Sequence, residues 1–516
     1  MVRPSRAVLL LAALAIGCDQ APSSRVNLLF VSFDTLRADR LGAYGNDDWD
    51  QSPSPQVDAL AARGTLFETV YASRGQTHPS LASIMTGRYP ITTGLRENGY
   101  PLDPQFPTLM QHLSAAGWRT GVFVANMEVA HPKEGWISRG ADVAADGFAG
   151  RRRLEHRNEA SMQRVWDDRT EQAALAFLDQ AADDGPFAAW VHFYDIHKPY
   201  TPPAAYRDRF GLSEGLPPVL RAPPETGKQA MLLEQWLANV TLGGRELSEA
   251  ELRRVLGLYD AGVMATDDRL GRLLARLDDL GEGERTVVVF TSDHGEELFD
   301  HNRYFFHGAS IHDGTVRLPL VLAGPGIPGG ARVPTLTQAI DIAPTLLDLL
   351  GVPADPGHEG HSLLPLVRGE TSTPPAPVAF VEWQDLIYAA TDGAHKLIWN
   401  PKHAWPRKTP FAYGPPEAGY RMECIEGYAL GPDPHEAKNL LADVDPGQMS
   451  LRGQGLPATV APLAQALRTW LSSPEHRQQM NTDALDETDM EHLRQLGYVG
   501  AMGGRDSVLK EPCVQR

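Results

Sequence analysis

The sequence predicts an α/β fold: a mixed, mostly parallel sheet flanked by helices, followed by a smaller antiparallel sheet with a helix packed on it. Short, uniformly apolar runs alternate with helix-period segments up to residue 350, as strands joined by crossover helices do. Several of these runs end directly in Asp or His. Beyond the proline-rich stretch Ser372–Pro377 the pattern changes to closely spaced short strands and then one amphipathic helix.

The chain has 516 residues, 42% of them hydrophobic, which supplies a large core. Its formal net charge is -18, and it has no notable basic run. That balance argues against a nucleic-acid partner.

The first element is a leader, residues 1–18. MVRPSR is a charged start, and the apolar run AVLLLAALAIG follows it. At roughly ten residues the run is too short to span a bilayer, which takes about 20. It ends in Ala15-Ile16-Gly17-Cys18, which resembles a bacterial lipoprotein signal. The expected consequence is a lipid on Cys18, a membrane anchor and a place in the bacterial cell envelope, on the periplasmic or outer side of a membrane. An ordinary cleaved signal peptide is the alternative. Cys424 and Cys513 remain, and the two can pair in an oxidising compartment.

A large domain is expected over residues 25–370. Its strands are read at Asn27–Phe33, Thr120–Ala125, Phe187–Phe193, Thr286–Phe290 and Leu318–Leu322. Helices are read around Thr108–Ala116, Glu171–Ala182, Val255–Leu280 and Ile340–Leu350. Pro199–Pro224 is read as a long loop or lid. A small subdomain is expected over 371–502, with strands at Val378–Glu382, Leu386–Tyr388 and His395–Trp399 and a helix at Val460–Leu471. Residues 503–516 form a tail.

The chemistry gathers where strands end. Asn27–Phe33 runs into Asp34, Phe187–Phe193 into Asp195 and His197, and Thr286–Phe290 into Asp293-His294. Ligands of open α/β sheets bind beyond the carboxyl ends of the strands, so these residues are expected at one edge. An Asp at a strand end is by itself an ordinary turn-former. Clustered Asp and His suit a divalent cation such as Zn, Mn or Ca. His192, inside its strand, reads as a core or supporting residue. His301 and His307 lie in the following loop, DHNRYFFHG.

The stretch RGQTHPSLASIMTGRYP, Arg74 to Pro90, reads as a capped helix. Thr77 is the expected N-cap, with Pro79 in the first turn, Leu81, Ile84 and Met85 buried, and Gly87 at the end. His78 and Ser80, at the helix start, are placed to help bind an anion.

Together, NLLFVSFDTLRADRLGAYG, THPSLASIMTGRYP, DIHKPY and VVFTSDHGEE resemble the sulfatase family of the alkaline-phosphatase superfamily, in order from Asn27 to Leu350. TDGAHKLI and GPDPHEAKNL resemble that family's small C-terminal domain. The resemblance implies one divalent metal ion held by Asp34, Thr77, Asp293 and His294, with Thr77 as the metal-bound nucleophile. It puts His197 at the leaving group, His307 as a further candidate there, and Asn98, Arg88 and His78 at the substrate. His294 stands where sulfatases often carry Asn; His is the residue of phosphonate monoester hydrolases and of phosphoethanolamine and lipoteichoic-acid transferases.

The chain also departs from the family pattern. Thr35 replaces a second aspartate. Thr77 occupies the position of the Cys or Ser that sulfatases oxidise to formylglycine, and Leu81 replaces the arginine of that modification motif. Oxidation of a threonine gives a ketone, not an aldehyde, so no formylglycine is expected. Thr77 is then expected to act directly as a metal-activated nucleophile on sulfate, phosphate or phosphonate esters. The substrate class is a small anionic ester or a sulfated or phosphorylated glycan or lipid. A phospho-group transferase and a non-catalytic lipoprotein that binds such glycans are the competing readings.

Overall fold

A computed structural model describes residues 25–125, 135–146, 159–182, 184–212, 247–301, 304–308, 310–383, 386–400, 424–444, 451 and 455–477. The leader with Cys18, the tail 503–516 with Cys513, and the Pro199–Pro224 segment beyond residue 212 lie outside these residues.

The large sheet contains β1 (Asn27–Phe33), β2 (Thr65–Tyr71), β3 (Arg119–Val124), β4 (Val143–Asp146), β5 (Phe187–Phe193), β6 (Thr286–Ser292), β9 (Arg317–Ala323), β10 (Ala331–Val333) and β11 (Thr337–Gln338). Its order is β10-β2-β9-β6-β1-β5-β3-β4, with β11 also on β2. β1 runs parallel to both β5 and β6. β9 runs antiparallel to β2 and to β6. Every residue of β1, β5 and β6 is buried, because helices cover both faces.

Alternation along the strands splits the interior into two cores. Leu28, Phe30, Trp190 and Val289 face one side, with Leu81 and Ile84 of the Thr77–Thr86 helix and Leu346 of the Ile342–Leu349 helix. Leu29, Val31, Phe33 and Phe290 face the other, with Phe177 of the Glu159–Ala181 helix and Tyr259 of the Glu249–Asp279 helix. The latter helix starts at a reciprocal cap between Ser248 and Glu251. The Glu159–Ala181 helix begins well before its expected start at residue 171, since its first turns carry few apolar residues to show the period.

A short hairpin follows β6, made of β7 (Glu297–Leu298) and β8 (Tyr304–Phe306). The antiparallel sheet is β12 (Ala379–Trp383), β13 (Ile387–Thr391), β14 (His395–Trp399) and β15 (Ile425–Ala429), in that order. One face, with Val381, Ala389 and Ile398, joins the first core of the large sheet. The other, with Tyr388, Leu397 and Trp399, packs on Leu463, Leu467 and Trp470 of the Ala461–Ser472 helix. Cys424, just before β15, is disulfide-bonded. Among the described residues, no helix is long and apolar enough to cross a membrane.

Candidate active site

β1, β5 and β6 are paired so that Phe33 lies opposite both Phe193 and Ser292. The residues that follow therefore leave the sheet at one edge. The Asp34 N–H donates to Phe193 O at 2.8 Å, which closes that edge. Asp34, His192 and Asp293 are fully buried, and their ligating atoms lie within 4.8 Å of one another. His192 Nε2 is 3.5 Å from Asp34 Oδ2.

The chain after β1 is bent to serve this cluster. Thr35 has φ +58, an unusual value for a β-branched residue and one that costs on the order of 1–3 kcal/mol. The turn aims its N–H at Asp293 Oδ1, 3.1 Å away. Tyr259 holds the bend, donating to Thr35 O at 2.6 Å and accepting from the Arg37 N–H at 3.0 Å. Arg37 is fixed in turn by Asp39, Asp300 and the Glu296 carbonyl.

The residues fit a divalent ion. Asp293 Oδ1 accepts two backbone N–H groups, from Thr35 and His294, while the buried Oδ2 has no hydrogen-bond partner. His192 Nε2 has none either. Burial holds the His192 imidazole below its usual pKa despite Asp293, which favours the neutral form. His294 donates from Nδ1 to Gly295 O at 2.8 Å, which leaves Nε2 turned to Asp293 Oδ2 at 3.4 Å. Burial lowers the His294 pKa, but Asp293 and Asp34 outweigh it and raise the group above its ordinary value. Two carboxylates and two imidazoles around orphaned buried atoms make a mixed O/N donor set. His192, expected as a core or supporting residue, is fully buried within β5 and also joins this cluster of potential ligand atoms. A strand interior carries no turn or spacing signal for such a role.

Thr77 sits beside this cluster, with Oγ1 3.3 Å from His294 Nε2. It is not the N-cap: Gln76 is, and Thr77 is the first helical residue. The reason is local. Pro79 has no N–H, the His78 N–H donates to Asn98 Oδ1 at 3.0 Å, and the Ser80 N–H donates to Gln76 O at 3.0 Å. The first turn is satisfied without the Thr77 hydroxyl. Gly87 ends the helix as expected, with φ +62. Ser80 Oγ donates to Asp293 O at 2.5 Å and locks the helix start to β6.

A line of histidines leads away from the cluster. The His294 and His307 rings are 4.5 Å apart, and those of His307 and His197 are 5.1 Å apart. His197 donates from Nδ1 to Lys198 O at 2.7 Å and stacks on Tyr194. Its turn is held by buried Asp167, which accepts the N–H groups of Tyr194 and Asp195. His307 Nδ1 lies 3.2 Å from Glu296 Oε1. Burial first, then the neighbouring imidazole and Lys198, push both His197 and His307 well below the usual histidine range.

The remaining candidates separate. Asn98 is at the helix start through its bond to the His78 N–H. The His78 ring turns inward, accepting the Gly99 N–H at Nδ1 and meeting Trp136 edge-on. Arg88 is not brought to the cluster, contrary to its expected substrate contact. A helix of ten residues, about 15 Å long, separates it from Thr77. Its guanidinium pairs with Asp355 at 2.8 Å and covers Phe106. The cations near the Thr77 segment are instead Arg74 and Arg96, both buried. Arg74 donates to Gln76 and Glu97, and Arg96 forms a two-pronged pair with Glu382 of β12.

Residues 26–352 match the family model described as Sulfatase. Choline-sulfatase of Rhizobium meliloti (strain 1021) is 27% identical over 418 residues, covering 73% of this chain and 78% of that protein. The multifunctional alkaline phosphatase superfamily protein PehA of Trinickia caryophylli is 27% identical over 409 residues, covering 68% and 78%. Arylsulfatase K of Rattus norvegicus is 27% identical over 335 residues, which are 60% of this chain but only 58% of that protein.

Among solved structures, phosphonate monoester hydrolase of Agrobacterium radiobacter superposes with TM-score 0.61 at 23% identity, covering 90% of this chain and 97% of that one. A protein solved with its substrate D-glucosamine-2-N,6-O-disulfate gives TM-score 0.64 at 19% identity, covering 88% and 100%. These two likenesses show the shared fold. With the family model spanning more than half its length, the chain belongs to the sulfatase family.

Proposed function

We propose that the protein is a metal-dependent hydrolase of sulfate, phosphate or phosphonate esters with Thr77 as its nucleophile. The observation that carries this reading is the placement of Thr77 Oγ1 at 3.3 Å from His294 Nε2, beside the Asp34–His192–Asp293 cluster. Asp34, His192, Asp293 and His294 would hold a divalent cation, which would supply positive charge for the ester oxygens and lower the pKa of an adjacent hydroxyl. The Thr77 oxygen gives up its proton and bonds sulfur or phosphorus as the bond to the ester oxygen breaks, and that oxygen leaves as the alcohol with a proton from His197 or His307. Water then cleaves the threonyl ester, its hydroxide part going to sulfur or phosphorus and a proton returning to the Thr77 oxygen. His197 and His307 are neutral in the free protein, so the proton either one delivers is the one that Thr77 releases. The amino end of the Thr77–Thr86 helix adds positive potential.

The substrate reading rests on chemistry. Without a formylglycine hydrate there is no second hydroxyl to expel the group internally, so water must break the covalent ester. Phosphate and phosphonate esters fit that route, and sulfate esters are the substrate named for choline-sulfatase. The leader 1–18 supports attachment through a lipid on Cys18 in the cell envelope.

The test is a panel of aryl sulfate, phosphate mono- and diester, and phosphonate substrates with added Mn, Zn or Ca, run on wild type and Thr77→Ala. Turnover lost in the variant supports the reading. Unchanged turnover in Thr77→Ala removes Thr77 as nucleophile. Transfer of the group to an added alcohol in preference to water identifies a transferase, and binding of sulfated glycans without turnover or bound metal identifies a binding protein.

A further inference from the structure

The residue after Glu296 faces a different cluster. Glu296 lies against His307, but Glu297, next in β7, points to His301 and His312. All three are buried, and their ligating atoms lie within 4.8 Å of one another. His301 Nδ1 is 3.6 Å from Glu297 Oε2, and His312 Nδ1 is 4.0 Å from Glu297 Oε1. Ligands at about 2.0–2.2 Å from a shared zinc ion in a tetrahedron are about 3.3–3.6 Å from one another, so a small closure brings this set to that geometry.

The far sides of both rings are already held. His301 Nε2 is 3.2 Å from Glu436 O, a carbonyl that can only accept, so Nε2 carries a hydrogen and Nδ1 is the atom turned to Glu297. His312 Nε2 is 3.3 Å from Glu426 Oε2, a carboxylate that also accepts from Tyr428 OH at 2.8 Å. Its Nδ1 faces Glu297 and lies 3.2 Å from Ser310 Oγ, whose hydroxyl donates to Glu297 Oε1. An imidazole with one nitrogen on a carboxylate or carbonyl and the other free to ligate is the usual support of a metal-bound histidine. The two rings lie together, centroids 3.8 Å apart, with both Nδ1 atoms near one carboxylate.

Charge favours a cation here. Lys396 neutralises Asp313 at 2.8 Å and Glu436 at 2.9 Å. Glu297 is buried against His301 and His312, and buried Glu426 lies against His312. Glu297 Oε2 has no hydrogen-bond partner.

We propose that Glu297, His301 and His312 form a second metal site, taking one zinc-type divalent ion in a structural role. Its ligands come from the hairpin and from the chain just beyond it, and their supporting groups from β15 and Glu436. The ion would clamp the hairpin that leads to His307 onto the antiparallel sheet. The inference is independent of the function proposed for Thr77.

The test uses the full chain, stripped with chelator and reloaded with Zn²⁺ or Co²⁺, and counts metal per chain by mass spectrometry. Asp34→Asn/Asp293→Asn disables the first site. This double variant should keep one zinc per chain, with two imidazoles in its X-ray absorption fine structure, and should show a tetrahedral cobalt band. Adding His312→Asn should remove that ion. Should that variant fail to fold, Glu426→Gln serves instead and should weaken zinc binding about 10–100-fold. If the double variant itself fails to fold, wild type should bind two zinc ions and His301→Gln one. A folded double variant that binds no zinc, or zinc retained unchanged in the His312 and Glu426 variants, overturns the proposal. In that case the cluster is a proton-filled ion-pair network.

Discussion

Thr77 Oγ1 and His294 Nε2 lie 3.3 Å apart, although 217 positions separate the two residues in sequence. The contact joins a helix start to a strand end, and no other group in the first helical turn makes use of the hydroxyl. Thr77→Ala should therefore lower kcat/KM by at least about 10³ while changing stability by less than about 0.5 kcal/mol. A true N-cap would lose about 1 kcal/mol on the same change. Urea melts and turnover measured on one preparation separate the two roles.

His192 presents its imidazole to Asp34 at 3.5 Å, and burial favours the neutral form. If the proposed cation site is used, His192→Gln should weaken it at least about tenfold, seen as a higher metal concentration for half-maximal activity. Saturating metal should restore much of kcat. A loss that no metal concentration repairs would assign His192 to another task.

His197 stands at the outer end of the histidine line. If it serves the leaving oxygen, His197→Ala should cost about 10²–10⁴ in kcat/KM for alkyl esters and little for nitrophenyl esters, whose leaving group needs no proton. The slope of log kcat/KM against leaving-group pKa should steepen in the variant. An equal loss across the series would contradict the assignment.

Far from this site, His358 shows a pH effect of predictable sign. Burial, with Arg88 and His112, outweighs Asp355 and lowers its pKa from 6.5 to about 4 in the folded chain. The unfolded chain then binds more protons between about pH 4 and 6.5, so stability falls as pH drops through that window. His358→Gln should flatten this part of the stability curve in urea titrations between pH 4 and 7, and leave stability at pH 8 less affected.

Arg96 and Glu382 form a buried two-pronged pair. Glu382→Gln leaves Arg96 without its counter-charge and should cost about 3–5 kcal/mol. A loss below about 1 kcal/mol would show that solvent or Glu97 replaces the carboxylate.

Much of this layout was legible in the sequence, for physical reasons. β1, β5 and β6 are covered on both faces, so they read as unbroken apolar runs, and their ends named Asp34, His197, Asp293 and His294. β2 was missed because Glu68 and Thr69 interrupt its apolar pattern where its pairing with β9 is irregular. The antiparallel direction of β9 has no local signature. β15 was missed as well, its Glu426 and Gly427 breaking a short apolar run. Arg88 was misplaced because a motif gives order along the chain, whereas reach depends on the length of the helix between.

The Arg96–Glu382 pair also bears on how the chain can be divided. Glu382 lies on the antiparallel sheet, and its N–H donates to Ser73 O at 3.0 Å, next to Arg74 and three residues before Gln76. Its carboxylate also lies 3.8 Å from the Arg74 guanidinium. Cutting the chain after the large sheet would remove the carboxylate that pairs with Arg96 and lies beside Arg74, just before the helix that begins at Thr77. The small sheet is thus tied to the segment that leads into that helix, and a working unit is expected to need both sheets.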